Sequence, residues 1–330
     1  MRHRFSLEGY GYRLRPIRIS DAPFILEVRR EDPERNRFLH AVSDDPAAQE
    51  AWLNRYFERE GDFYFVVENR VTGQAEGLIA FYNAQDGRAE WGRWVLKKSS
   101  LAAAESVYLL YRIAFEQAGL RELYCRTVTE NAAVTAFHTA AGEKTRGVLP
   151  HAVEIDGTWY DVLEQYAEKE HFYSTAAPLL TKRARSVARR NFKREAGAFS
   201  FHHIGVACRS IEKELPVYTL MGYEEEGACF EDPGQGIRGL FLNGNPRLEL
   251  LENLDGSQTL DQPLKRGQKL YHTAYRVERI EKAVEIMTRN RAKIISPLKP
   301  SVYFGARICF LMLPNLSMIE LIESPEGEKK

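Results

Sequence analysis

Four side chains in the C-terminal part of the chain combine residue types and spacing that suit a divalent transition metal. The stretch "HIGVACRSIEKEL" starts at His203, and "HTAYRVERIEKAV" starts 69 residues later at His272, with Ile-Glu-Lys at the same offset in both. Each copy closes on an apolar run holding a glutamate, "RLELLEN" with Glu249 and "SMIELIES" with Glu320, 46 and 48 residues after its histidine. Two imidazoles and two carboxylates form a donor set for Zn, Ni, Co, Mn or Fe. A single histidine or glutamate on a strand is more often surface or satisfied core than a ligand. Symmetric placement of four in an internal repeat is what singles these out.

Such ligands converge only if the elements around them do. Each half reads as β-α-β-β-β, opening on a strand with the histidine and ending on one with the glutamate. Two halves related by a pseudo-twofold axis would form one curved sheet whose inner face holds all four side chains. Alternation agrees: Glu249 falls on the opposite face from Leu248 and Leu250.

The first 170 residues alternate strands and helices differently. "GYRLRPI", "FYFVVEN", "EGLIAFYN", "AEWGRWVL" and "RELYCRTVT" read as strands, and "HAVEIDGTWYDVLEQYA" as a hairpin turning at Asp156-Gly157. "APFILEVRR" reads as a helix capped by Ser20-Asp21, and "SLAAAESVYLLYRIAFEQAG" as a helix closed by Gly119. Between the halves, "TKRARSVARRNFKRE" reads as a solvated linker helix or as a docking surface for a phosphate-bearing partner. The fold class expected is α/β plus α+β, with one domain over 1–172, a basic linker over 173–198, and the repeat domain over 199–330.

Composition excludes several classes of function. The 330 residues hold 46 basic and 46 acidic side chains, so no net field steers the chain to nucleic acid or a membrane. No apolar run resembles a signal peptide or a membrane span, which predicts a cytoplasmic protein. Cys125, Cys208, Cys229 and Cys309 are scattered and read as small buried residues of a reducing compartment.

Residues 200–325 resemble the vicinal-oxygen-chelate superfamily of glyoxalase I, methylmalonyl-CoA epimerase, extradiol dioxygenases and bleomycin-resistance proteins. "FHHIGVACRSIE", "GQGIRGLFLNGNPRLELLEN", "LYHTAYRVERIEKAV" and "FGARICFLMLPNLSMIELIE" follow the epimerase segments in order. The resemblance implies metal ligands at His203, Glu249, His272 and Glu320. It also implies Lewis-acid stabilisation of charge beside an acidic C–H, with Glu249 or Glu320 as the base. Glutamate at the second ligand position is the glyoxalase I choice. "SVYFGAR" stands where the epimerases have a glycine-bracketed segment.

Residues 11–170 resemble the GNAT N-acetyltransferases, nearest to the branch acting on ribosomal-protein N-termini, aminoglycosides and amino-sugar nucleotides. The resemblance runs through "LRPIRISDAPFILEVRREDPERNRFL" to "TENAAVTAFHTAAGEKTRGVLPHAVEIDGTWYDVLEQ". It implies acetyl-CoA, held along Leu96, Lys98, Ser99, Ser100, Leu101, Ala102 and Ala103, in a loop without the family's glycines. Asn131 matches a family asparagine beside the pantetheine arm, or is an ordinary helix cap. His138 stands where relatives place a general acid toward the CoA thiolate, or is a partly exposed helix histidine. Glu90 is a candidate base for the amine, or an edge-strand charge. Trp52, Trp91 and Trp94 read as core rather than as sugar-stacking platforms.

Together these readings predict an acetyltransferase joined to a metal-dependent epimerase, isomerase or lyase. Its partners would be small molecules (an amino-sugar nucleotide or an acyl thioester), and edge-to-edge pairing of sheets would make a homodimer. The competing reading is a ligand-sequestering module with a regulatory N-terminal domain.

Overall fold

The first unit is organised around a sheet whose strands part partway along. The structure, a computed structural model, describes residues 3–40, 43 and 45–324. It divides into two units, 1–191 and 192–330. Unit 1 contains β1 (Leu7–Glu8), β2 (Tyr12–Pro16), α1 (Ala22–Arg30), α2 (Pro46–Tyr56), β3 (Phe63–Asn69), β4 (Ala75–Gln85) and β5 (Arg88–Leu96). There follow α3 (Ala103–Arg112), β6 (Glu122–Val128), α4 (Ala132–Ala140), β7 (Lys144–Ile155), β8 (Thr158–Glu168) and α5 (Lys169–His171). The sheet order is β1-β2-β3-β4-β5-β6-β8-β7.

Strands β5 and β6 are parallel and pair only from Arg88 to Glu90, against Glu122 to Tyr124. Beyond Glu90, β5 stays with β4 as far as Leu96 while β6 follows β8, so a wedge opens between them. The backbone groups along such a split have lost their ladder partners and are available to a ligand lying in it. Gly119 (φ +71°) ends the α3 segment after a π-turn over Ile113–Gln117, as a C-cap glycine does. Asp156 and Gly157, both at positive φ, form the tight β7–β8 turn.

Two sequence expectations need correction. Asp21 does not cap α1 with its side chain. Its carboxylate accepts from the Arg18 backbone N–H at 2.8 Å and pairs with the Arg15 guanidinium, because a 3₁₀ turn over Ile19–Asp21 precedes the helix. The basic segment is not solvated on all sides. It lies in helix α6 (Ala177–Ala196), where Leu180, Ala184 and Asn191 recur at helical spacing and are buried. Leu180 joins the main core of unit 1, and Asn191 donates to the Tyr12 hydroxyl at 3.2 Å. Residues 177–191 thus belong to unit 1, with their basic side chains on the other faces.

Unit 2 contains β9 (Phe199–Ala207), α7 (Ile211–Leu220), β10 (Glu224–Asp232), β11 (Ile237–Asn243), β12 (Leu248–Asn253) and α8 (Asp261–Lys265). Its second half has β13 (Leu270–Val277), α9 (Ile280–Arg289), β14 (Lys293–Pro300), β15 (Arg307–Met312) and β16 (Met318–Glu323). The two β-α-β-β-β halves build one sheet, β10-β11-β12-β9-β13-β16-β15-β14, joined where β9 and β13 pair antiparallel. Both repeated Ile-Glu-Lys triplets open a helix, with Ile211 and Ile280 buried beneath. Leu248 and Leu250 turn to the side of α7, packing with Leu215 and Tyr218, which leaves Glu249 for the inner face. Among the described residues no helix is long and apolar enough to cross a membrane.

Candidate functional site

The register of unit 2 brings the four candidate ligands around two small residues. His272 pairs with Gly205 and His203 with Ala274 across the β9–β13 join. Glu249 on β12 also pairs with Gly205, and Glu320 on β16 with Ala274. Every ligand is buried, at 0% exposure for His203, 6% for Glu249, 4% for His272 and 2% for Glu320. A methyl group at position 205 would overlap the His272 ring, so glycine there is what admits the imidazole.

The donor atoms face one another. His203 Nε2 lies 3.0 Å from Glu249 Oε2 and 3.1 Å from His272 Nε2. His272 Nε2 is 3.4 Å from Glu249 Oε2, and Glu320 Oε2 is 3.5 Å from both imidazoles. Two imidazole nitrogens this close can share one proton at most, and Glu320 Oε2 makes no hydrogen bond. A tetrahedral ion with bonds of about 2.0–2.1 Å holds its ligand atoms roughly 3.4 Å apart, which matches these separations. The residues fit a divalent cation. Without one, burial opposes ionisation of Glu249, but the two imidazoles outweigh it and hold the carboxyl below its ordinary range. Burial likewise opposes charge on His272, yet Glu249 and Glu320 push its pKa up to about 9.

Support for His203 comes from its neighbour. His202 is the extra residue of a β-bulge, since Ala274 pairs with His203 and Tyr275 with Phe201. The bulge turns His202 Nδ1 to within 2.8 Å of His203 Nδ1. Arg247 reaches His202 Nε2 at 2.9 Å and is itself held by Glu226 through Nε and Nη2, at 2.7 and 2.8 Å. A second bulge at Tyr271 lets both Tyr271 and His272 line the inner face. Neither bulge has a sequence signal beyond the His-His doublet itself.

Of the predicted residues of unit 1, Glu90 ends the β5–β6 pairing and His138 packs against β5 beyond it. His138 on α4 is buried, against the expectation of partial exposure, with its ring edge-on to Trp91 at 4.8 Å and near Trp94 at 6.3 Å, both past the split on β5. Its Nδ1 is 3.4 Å from Glu143 Oε1, a residue that sequence reasoning did not select because it follows α4 in no motif. Glu143 also accepts from the Tyr111 hydroxyl at 2.8 Å and the Cys125 thiol at 3.3 Å. Trp91 is core, whereas Trp52 is partly buried and holds Arg59 and Arg93 against its face. Glu90 sits on β5, which is internal to the sheet rather than an edge. Burial raises its pKa, partly offset by Arg126 with Nη1 at 3.7 Å, and the Tyr82 hydroxyl lies 3.4 Å away.

The loop after β5 is partly self-satisfied. The Lys98 N–H donates to Glu31 Oε2 at 2.8 Å, that of Ser100 to Lys97 O at 3.0 Å and that of Ala102 to Ser100 Oγ at 3.2 Å. Ser100 Oγ in turn donates to Glu76 at 2.8 Å. Ser99, Leu101 and Ala103 complete the turn between Leu96 and α3. Asn131 precedes α4 but makes no side-chain cap bond, so capping does not account for it.

Comparison with known proteins places both units. Residues 12–144 match the acetyltransferase (GNAT) domain family, and residues 202–310 match the glyoxalase/bleomycin resistance protein/dioxygenase superfamily. Among solved structures, an apo FdhC described as a nucleotide-linked sugar GNAT is 22% identical, over 54% of this chain and 98% of its own, with a TM-score of 0.46. Mutant forms of the spermidine/spermine N-acetyltransferase SpeG from Vibrio cholerae are 18% identical, over 50% of this chain and 98% of theirs, with a TM-score of 0.44. No curated protein matches the chain.

Proposed function

Because the chain joins a GNAT acetyltransferase domain to a glyoxalase-superfamily domain, we propose that it is an enzyme with two active sites. Unit 2 would abstract a proton beside a carbonyl, giving epimerase, isomerase or lyase chemistry. The observation that carries this is the convergence of His203, Glu249, His272 and Glu320 on one point of a buried inner face. These four would hold a divalent transition metal, which when bound supplies a Lewis acid to the carbonyl oxygen. Glu249 is tied to His203 at 3.0 Å, whereas Glu320 Oε2 makes no hydrogen bond and lies 3.5 Å from both imidazoles. We therefore assign the proton-accepting role to Glu320 and the holding role to Glu249. Screening keto compounds and acyl thioesters for solvent deuterium uptake tests this, with loss of uptake expected in Glu320→Gln.

Unit 1 would transfer an acetyl group from acetyl-CoA to an amine of a small molecule such as a nucleotide-linked sugar. The wedge past Glu90 offers unpaired backbone to an extended thioester arm, and Asn131 lies at the start of α4. His138, with Nδ1 3.4 Å from Glu143, would protonate the departing thiolate, and Glu90 would deprotonate the substrate ammonium. The loop from Lys98 to Ala103 would take the pyrophosphate on amides at the start of α3 once Glu31 and Glu76 give way. A thermal shift with acetyl-CoA tests the cofactor: no shift at millimolar concentration would refute it.

A further inference from the structure

The cavity over the four ligands is roofed where the two outermost strands of the unit 2 sheet approach each other. Lys299 on β14 donates through Nζ to the carbonyl of Gly234, between β10 and β11, at 3.2 Å. The rings of Phe230 on β10 and Tyr303 beyond β14 lie 4.5 Å apart. The cavity has a volume of about 210 Å³ and is lined at one end by Glu249, His272 and Glu320. That is below the range that buries a drug-sized molecule.

Its lining is selective in two ways. Phe230, Tyr271, Tyr303, Phe304 and Phe310 present aromatic rings to it. Among the described residues that line it, Lys299 is the only lysine or arginine, and it forms no ion pair there. A backbone carbonyl leaves its ammonium charge without a counterion, which an incoming anion would supply. The Tyr271 hydroxyl also lacks a hydrogen-bond partner among the described residues. A coenzyme A thioester would bring several phosphate charges to a cavity with one lysine and no arginine.

We propose that the cavity takes a small aromatic oxo acid. Its ring would lie among the aromatic side chains, its carboxylate would pair with Lys299, and its carbonyl oxygen would face the four ligands. This assigns a substrate class to the proton-abstraction site of unit 2 and rests on that reading.

The test is calorimetric titration of the full-length protein, both chelator-treated and cobalt-loaded, with phenylpyruvate, pyruvate and phenylacetone. The last two lack the ring and the carboxylate respectively. Phenylpyruvate should bind roughly tenfold or more tighter than either. Lys299→Met should bind phenylacetone as the wild type does, which reports an intact cavity, while losing the preference for the acid. Lys299→Arg should keep that preference. Absence of phenylpyruvate binding in both forms overturns the proposal, as does binding no tighter than pyruvate, or an undiminished preference in Lys299→Met. Cobalt content measured in parallel decides the metal-dependent reading separately, because ring and carboxylate discrimination can be read without metal.

Discussion

The imidazole of His272 lies over the Cα of Gly205 on the adjoining strand, in space that any side chain at 205 would fill. The same glycine pairs with Glu249 on its other side, so two ligands from different halves of the repeat meet around one residue without a Cβ. Ala274 holds the equivalent place between His203 and Glu320 and is fully buried.

Gly205→Ala should therefore displace His272 while leaving the sheet in place. Overpacking of this kind costs about 1–3 kcal/mol. Metal content should fall well below that of the wild type, with an unchanged far-ultraviolet dichroism spectrum. Full metal loading in this variant would mean that the ring does not need the space.

His202→Phe removes the group that faces His203 Nδ1 but keeps a ring on the bulge. Loss of such a ligand-orienting partner typically weakens metal binding about 10- to 100-fold. Competition between the protein and a chromogenic chelator for cobalt would measure it. Equal affinities would show that the chain from Glu226 through Arg247 to His202 does not orient the ligand.

Glu105 gives unit 1 a dependence on pH. It is buried on α3, where its carboxylate accepts N–H groups from Tyr10 and Gly11, yet burial outweighs these and raises its pKa to about 7. The folded state thus holds this proton over a range where the unfolded chain has released it. Stability from this group is complete below about pH 4.5, falls as pH rises toward 7, and is level above, a loss of up to about 3 kcal/mol. All four tryptophans lie in unit 1, so urea unfolding followed by their fluorescence reports it separately. Glu105→Gln should flatten the difference between pH 5 and pH 8, and an unchanged difference would assign it to other groups.

For the proposed acetyl-transfer site, acetyl-CoA at 100 times its dissociation constant should stabilise unit 1 by about 2.7 kcal/mol. His138→Phe should keep that stabilisation while lowering kcat by about 10²- to 10⁴-fold, the usual contribution of a general acid. Unchanged turnover would leave His138 as a core residue packed between Trp91 and Glu143.

The convergence of His203, Glu249, His272 and Glu320, and the strands that carry them, were legible because two patterns agree. The 69-residue repeat marked equivalent positions, and two-residue alternation separated Glu249 from Leu248 and Leu250. The helices starting at Ile211 and Ile280 and the turn at Asp156-Gly157 were legible from local chemistry alone. His202 and Tyr271 were not, because a bulge breaks the alternation that assigns neighbours to opposite faces. Glu143 and Lys299 reach their sites through chain reversal and sheet curvature, which no spacing encodes. In α6, charge density concealed the buried face carrying Leu180 and Ala184.

The most direct test of the account is metal content by mass spectrometry of the purified protein beside the double variant His272→Ala, Glu320→Ala. The account predicts about one transition-metal equivalent per chain in the wild type and little in the variant, from two of four ligands lost. Wild-type protein that takes up no metal after reconstitution with cobalt, nickel, manganese or zinc would contradict it, as would a variant that keeps its metal.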